Sequence, residues 1–234
     1  MTGDLFSNIS EDTIRDRELT RADVTALVRD GKPLHLVDCD LEDADLSDLD
    51  LTGAVFERCA MRHAKFKGAR LDAVRFISCR GAFADFVSAS LGEAIFTSSD
   101  FNNAAFRGAT LSSAQFKSCK LTGADLTDAR MMDVHFEETL LINAKLPGHS
   151  FRKQKLVRVD FSQADVRKCD FREAVLDACS LRDANVTACR FEGTDLRGAD
   201  LGGIRLIDAA PYRGAIISRE QAGQLLAELG LKLG

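Results

Sequence analysis

The sequence predicts a solenoid, a rod of stacked turns, and two observations predict it: a five-residue register of large apolar residues and an in-phase register of small ones. Counting in steps of five from Leu36 to Leu206 gives 35 positions, of which 17 are Leu, 13 Phe, 2 Met and 2 Val, with Gly81 the exception. Two residues before these centres lie 17 Ala and all seven Cys. Neither the helical period of 3.6 nor the strand period of two gives this register. Such repetition is typical of turns that stack only on their neighbours.

Composition excludes several classes of protein. The chain has 234 residues, of which 45% are apolar and 29% charged, and its net charge is −5. That mildly acidic balance does not favour non-specific binding of nucleic acid. The sequence shows no apolar stretch near the ~18 residues of a membrane span and no signal-peptide core at its start. We therefore expect a cytoplasmic protein that neither crosses a membrane nor binds nucleic acid directly.

The cysteines and histidines do not form a chemical motif. The closest spacing between two cysteines is ten residues, and there is no CxxC pair. Because every cysteine occupies the small position, we interpret the seven as buried packing residues rather than metal ligands or disulfides. The four histidines are scattered through the repeat, and no nucleophile motif or phosphate loop accompanies them. We expect no enzymatic activity, no metal and no cofactor.

The stretches "GADLTDARM", "GTDLRGADLGG" and "EDADLSDLDL" resemble the pentapeptide-repeat family over residues 34–208. The resemblance implies an all-β fold, a right-handed quadrilateral parallel β-helix in which four pentapeptides make one turn. Residues twenty apart should then stack, and about eight coils at ~4.8 Å each would give a rod near ~40 Å long. Two such ladders stop near residue 140: Cys39, Cys59, Cys79, Ser99, Cys119 and Thr139, and Phe56, Phe76, Phe96, Phe116 and Phe136.

The segment "KLPGHSFRKQKL", residues 145–156, interrupts the pattern. His149 and Gln154 occupy positions sized for Ala, where overpacking and unpaired polar atoms would be costly. We expect a ten-residue loop at 147–156, since subtracting ten from later numbers returns two of the last three cysteines to the first ladder. The alternative is a local distortion of the wall with the bulky side chains tipped outward. A smaller irregularity, Gly81 beside Phe83, is interpreted as a bulge.

Both ends of the rod need covers, because an open coil exposes unpaired backbone and apolar side chains. Residues 1–33 are expected to supply an N-terminal helical cap that starts near Thr20 and Asp23 and turns Val24, Leu27 and Val28 inward. Residues 209–234 are expected to form a helix with a capping box at Ser218 and Gln221, an end at Gly230 and a short following strand.

This tail resembles that of Qnr-type quinolone-resistance and albicidin-resistance proteins, which implies a tail-to-tail homodimer; the alternative is a monomeric lid. The expected dimer interface comprises Tyr212, Ile216, Ala222, Leu225, Leu226, Leu229, Leu231 and Leu233.

The same resemblance implies a function: binding to DNA gyrase or topoisomerase IV, partly by DNA mimicry, with protection from quinolones or a natural poison. The partner-binding residues expected from the loop and the later acids are His149, Phe151, Arg152, Lys153, Lys155, Asp160, Asp165, Asp170, Asp195 and Asp200. An acidic run at 38–50 is followed by a basic band at 58–80, so mimicry must be confined to one face or one end. A generic interaction scaffold is the alternative, and direct nucleic-acid binding through the basic band is a third, less favoured possibility.

Overall fold

The chain folds into a parallel β-solenoid of about eight turns, closed by a helix at each end. The computed structural model describes residues 13–28, 32–204, 210–228 and 230–231. In chain order the elements are β1 (Thr13–Arg15), α1 (Arg21–Val28), β2 (His35–Val37), β3 (Val55–Glu57), β4 (Arg75–Ile77), β5 (Ile95–Thr97), β6 (Gln115–Lys117), β7 (His135–Glu137), β8 (Lys155–Val157), β9 (Val175–Asp177), a 3-10 helix (Ala210–Tyr212) and α2 (Arg219–Glu228).

Each coil takes twenty residues and has four faces. The strands form one parallel sheet in sequence order, and residues twenty apart pair directly, as Leu36 does with Phe56. We call this strand-bearing side face 1. The next three pentapeptides make faces 2, 3 and 4, whose coils pair through single bridges such as Asp40↔Ala60, Asp45↔Lys65 and Asp50↔Arg70.

The corners explain the polar residues of the repeat. The second residue after each centre adopts the left-handed conformation, for example Asp43 with φ 57°, which favours Gly, Asn and Asp. The backbone amide of Ala44 closes that turn on the Leu41 carbonyl at 3.1 Å. One residue before the centre, Asp40 Oδ1 accepts the Glu42 amide at 2.9 Å. The recurring aspartate is therefore first of all a turn residue.

The core consists of stacked ladders, as predicted. The rings of the predicted phenylalanine ladder are 4.5 to 5.2 Å apart between centroids from Phe56 to Phe136. All seven cysteines are buried and free. Their Sγ atoms bond to backbone carbonyls, as when Cys119 donates to the Phe96 carbonyl at 3.3 Å. Burial raises the pKa of the Cys119 thiol to about 11, which keeps it protonated and unreactive.

The expected loop at 147–156 is wrong. The twenty-residue step continues through this segment, with Lys145 paired to Asp165, Ser150 to Asp170 and Lys155 to Val175. The Phe136 ladder continues as Leu156 and Leu176, because Leu and Phe fill the same inward position. A change of residue type was thus mistaken for a change of register. Cys179 remains in the column of the first cysteines, whereas Cys169 and Cys189 follow His149 in the face 4 column that holds Ala in the earlier coils, at Ala69, Ala89, Ala109 and Ala129.

A local distortion does occur there, although the side chains are not tipped outward. Within the described chain, no backbone hydrogen bond joins residues 127–134 to residues 147–154, one coil further on. His149 is nevertheless only 6% exposed and Phe151 is fully buried. We call this interruption of the wall on face 4 the seam.

The bulge expected at Gly81 is also absent from the described wall. Gly81 is in register, with its amide donating to the Asp100 carbonyl at 2.7 Å. A Cβ at this position would overlap the ring of Phe101, so the glycine makes room for a neighbouring aromatic side chain. Phe83 lies on the adjacent corner, 47% exposed, and stacks on His63 at 5.1 Å.

The caps follow the predicted chemistry within the described residues. Thr20 and Asp23 exchange capping bonds at the start of α1, and Val24 is fully buried. Ser218 and Gln221 form the capping box of α2. The side chain of Gln221 also donates to two carbonyls of the last coil, those of Leu196 and Ala199, at 2.7 Å each.

Candidate partner-binding surfaces

The basic side chains of segment 147–156 lie on the surface, but each already has an acidic neighbour. Arg152 lies 2.9 Å and Lys153 3.5 Å from the carboxylate of Glu173, and Lys155 lies 3.3 Å from that of Asp177. His149 and Phe151 point into the core, so the expectation that a loop displays them is wrong.

The five predicted aspartates do not form one surface. Asp195 lies on face 1, Asp160 and Asp200 on face 2, Asp165 on face 3 and Asp170 on face 4, as their bridge partners show. The structure therefore spreads this set around the rod instead of bringing it together.

Arginine side chains neutralise most of these carboxylates. Asp165, Asp170 and Asp195 each receive two hydrogen bonds from the arginine two residues later, at 2.5 to 2.9 Å. Asp200 pairs with Arg182 at 2.8 Å. The hydrogen bond from Arg172 lowers the pKa of the Asp170 carboxyl, which keeps it ionised. These acids remain charged, but their charge is balanced locally, which weakens any resemblance to a row of phosphates.

The acidic run and the basic band pair with each other in part, between adjacent coils. They lie one coil apart, so Asp38 faces Arg58 at 2.7 Å and Asp50 faces Arg70 at 3.2 Å. In the sequence, such an ion pair is recognisable as two opposite charges twenty residues apart. Residues that are adjacent in the sequence do not show it.

One acidic surface remains uncompensated. Asp40, Glu42, Asp43 and Asp48 are exposed on faces 2 and 3 of the first coil and have no ion-pair partner among the described residues. Glu18 adjoins them through its bridge to Asp40, and Asp45 makes only a 3.6 Å contact with Arg21. We call this set the first-coil acidic patch: Glu18, Asp40, Glu42, Asp43, Asp45 and Asp48. The sequence reading noted most of these acids but did not count them as partner-binding residues.

The C-terminal end divides the predicted dimer residues into two groups. Tyr212 stacks on Phe191 at 4.9 Å, and Leu225 is 8% exposed, so both belong to the chain's own cap; Ala222 and Leu226 are partly buried on α2. Burial raises the pKa of the Tyr212 hydroxyl to about 12. Leu229 and Leu233 lie outside the described residues.

The remaining apolar side chains at this end are free of the cap. Ile216 is 47% exposed, Ile217 37% and Leu231 56%. Ile216 also pairs with Asp195 as the last bridge of face 1. Exposed apolar side chains grouped at the end of a rod favour self-association.

Among the described residues, no group of three or more His, Cys, Asp or Glu side chains is arranged to hold a metal ion. No described helix has the length and apolar character needed to cross a bilayer.

Comparisons with known proteins agree with this architecture. The family model described as "Pentapeptide repeat region" matches residues 49–126. The family model described as "Pentapeptide repeats (8 copies)" matches segments that together span 111–209. Among solved structures, full-length QnrB1, a plasmid-mediated fluoroquinolone resistance protein, is 22% identical with a TM-score of 0.71, covering 94% of this chain and 100% of its own.

A trypsin-treated form of QnrB1 gives a TM-score of 0.72 at 23% identity, with 85% of this chain and 99% of that chain covered. HetL, a pentapeptide-repeat protein from Nostoc sp. strain PCC 7120, is 20% identical with a TM-score of 0.38, over 87% of this chain and 84% of its own. No curated protein sequence matches. Since the family models cover residues 49–209 between them and the coil geometry agrees, this chain belongs to the pentapeptide-repeat family.

Proposed function

We propose that this protein is a non-enzymatic binding protein of the cytoplasm that occupies the DNA-binding surface of a type II topoisomerase, DNA gyrase or topoisomerase IV. In doing so it protects that enzyme from quinolones or a natural poison. The observation that carries the proposal is the likeness to QnrB1 over nearly the whole of both chains. Fold alone does not give function, and the charged surfaces of the rod provide further support for the proposal.

The first-coil acidic patch is the surface best suited to DNA mimicry. Its carboxylates project from two adjacent faces of a rigid wall, and most have no neutralising partner. A protein groove that binds phosphates is lined with cations, and such a groove attracts a fixed set of carboxylates in the same way. The acids nearer the C-terminal end serve this purpose less well, because arginines pair with them.

The homodimer would join two rods end to end through Ile216, Ile217 and Leu231. Such a dimer places one acidic patch at each far end, where both remain accessible. Ile216→Asp should leave the coils folded by circular dichroism and shift the mass measured by light scattering from 51 kDa, twice the 25.5 kDa chain, towards the monomer. Wild-type protein that is already monomeric at micromolar concentration would contradict this part of the proposal.

The test of function is gyrase supercoiling and drug-induced DNA cleavage with increasing protein, in the presence of a fluoroquinolone or albicidin. We expect recovery of supercoiling or fewer cleavage complexes. Asp43→Asn with Asp48→Asn should reduce the protection, since Asn removes charge yet tolerates the left-handed corner. Asp183→Asn is the matched control, because it lies in the column of Asp43 at the opposite end of the rod.

A generic interaction scaffold is the second candidate. The observation in its favour is the balanced charge of the remaining faces, where ion pairs join one coil to the next. Unchanged drug sensitivity and unchanged supercoiling, with protein well above the enzyme concentration, would favour the scaffold over topoisomerase protection.

A further inference from the structure

We infer that the seam on face 4 is a hinge, at which the solenoid opens locally between two otherwise continuous stacks of coils. This inference does not depend on the proposed function. It rests on the backbone hydrogen bonds, on the packing of a buried histidine and on the spacing between coils.

The first observation is the loss of the hydrogen-bond ladder. One coil before the seam, the amides of Leu111 and Ser113 donate to the carbonyls of Arg130 and Met132 at 2.8 Å. The equivalent amides of Met131 and Asp133 have no backbone acceptor in the next coil. Most of the missing bonds lie on face 4 and its two corners, and among the described residues the bond from the Lys155 amide to the Val134 carbonyl, at the start of face 1, is also absent.

The adjoining faces stay joined, although β7 and β8 on face 1 keep only one residue pair where β6 and β7 have three. Between the same two coils, Asp125 pairs with Lys145, Glu137 with Val157, and Leu140 with Asp160. The interruption is thus bounded on both sides by intact pairs. This arrangement lets one side of the rod open while the other faces hold the two stacks together.

The second observation is the separation of the coils. At Gly123 a Cβ would lie 4.0 Å from the Asn103 backbone and overlap its side chain, whereas at Gly148 nothing lies within 4 Å. In the preceding coil the inward residue Ala129, opposite His149, is partly exposed, and Met132 is 69% exposed. The wall is therefore wider here than at an ordinary corner.

The third observation supplies the cause. His149 occupies a position that holds Ala or Cys in most coils, and its ring packs edge-on against Phe151 at 4.4 Å. His149 is only 6% exposed, yet its Nε2 atom has no hydrogen-bond partner among the described residues. A bulky polar ring in a small slot displaces the neighbouring coil, and that displacement breaks the ladder.

Hydrogen exchange on the full-length protein tests the hinge. We expect the amides of Met131, Asp133 and Ser150 to exchange at least about tenfold faster than those of Leu111, Ser113 and Asp170, because they open without global unfolding. Their exchange should also be insensitive to low urea, since a local opening exposes little surface. Equal protection, or the steep urea dependence of the core, would overturn the inference.

A variant tests the cause. His149→Cys installs the residue found at the next two positions of the same column, Cys169 and Cys189, and should slow exchange at the seam to the rate of the preceding coil. Cys169→Ala is the matched control and should leave the seam amides unchanged. If His149→Cys does not fold, His149→Ala provides the same comparison. Fast exchange that persists in a folded His149 variant would show that the histidine does not hold the seam open.

Discussion

Replacing His149 should change how stability depends on pH. Burial lowers the pKa of His149 from 6.5 to about 4 in the folded protein. The titratable group that follows it in the same column is Cys169, whose thiol pKa is raised by burial and which stays neutral. Above pH 6.5 the histidine is neutral in both folded and unfolded chains, so it contributes no pH dependence. Below that value the unfolded chain binds a proton that the folded chain resists, and stability falls as pH falls.

The size of this stability change follows from the difference between the pKa of His149 in the unfolded and in the folded chain. At ~1.36 kcal/mol per pKa unit, a shift of about 2.5 units corresponds to ~3 kcal/mol in full, of which ~2 kcal/mol is lost by pH 5. Urea unfolding of wild type and His149→Cys, followed by circular dichroism between pH 7.5 and pH 4.5, measures the difference. We expect the variant to gain ~2 kcal/mol relative to wild type between pH 7.5 and pH 5.

The control is His63→Ala, which removes an exposed histidine from a corner and should keep the acid sensitivity of wild type. A difference between His149→Cys and wild type that stays constant over this pH range would refute the reasoning. It would mean that the imidazole can be protonated without opening the wall.

Three further predictions concern the core and the cap. Gly81→Ala should destabilise the protein by ~1–3 kcal/mol in urea unfolding, because its Cβ would overlap the Phe101 ring, and Phe101→Leu should recover part of that loss; no loss would show that the ring moves freely. Gln221→Ala should lower stability by ~2 kcal/mol and the melting temperature with it, since two buried carbonyls lose their donor; an unchanged melting temperature would mean that water replaces the amide. The native protein should react with less than one equivalent of a thiol reagent at pH 8, and with all seven after denaturation, because burial holds the pKa of thiols such as Cys119 near 11; fast labelling of the folded protein would contradict this.

The four-sided coil and the stacking of residues twenty apart followed from the resemblance to the pentapeptide-repeat family. The five-residue register itself predicted a solenoid, its inward positions and the need for caps, because the geometry of each coil repeats and local chemistry decides each corner. Thr20, Ser218 and Gln221 were recognisable as capping residues for the same reason.

The behaviour of His149 could not be predicted from the repeat. The sequence correctly indicated that a large polar residue is unfavourable in a position sized for Ala. The chain, however, has two ways to relieve this unfavourable packing. A loop would remove the residue from the wall, whereas a wider gap between coils keeps it inside. The structure takes the second course: bonds are lost on face 4 and at the start of face 1, while pairs on the other faces keep the two coils joined.

The grouping of aspartates by their position in the sequence did not predict a surface, for a related reason. Sequence neighbours on a solenoid point to different faces, while partners lie one coil apart, as Asp38 and Arg58 do. Aspartates grouped by sequence position, such as Asp160, Asp165 and Asp170, therefore fall on different faces. The candidate surface emerges only after pairs between coils are removed, which leaves the acids of the first coil.

The measurement that tests the central claim most directly is binding of the purified protein to DNA gyrase without DNA, followed by competition with a linear duplex. The account predicts a complex that the duplex displaces, and weaker binding when Asp43 and Asp48 are changed to Asn than when Asp183 is changed. Absence of binding would contradict the topoisomerase proposal. A complex that forms equally well with excess duplex would contradict occupation of the DNA-binding surface.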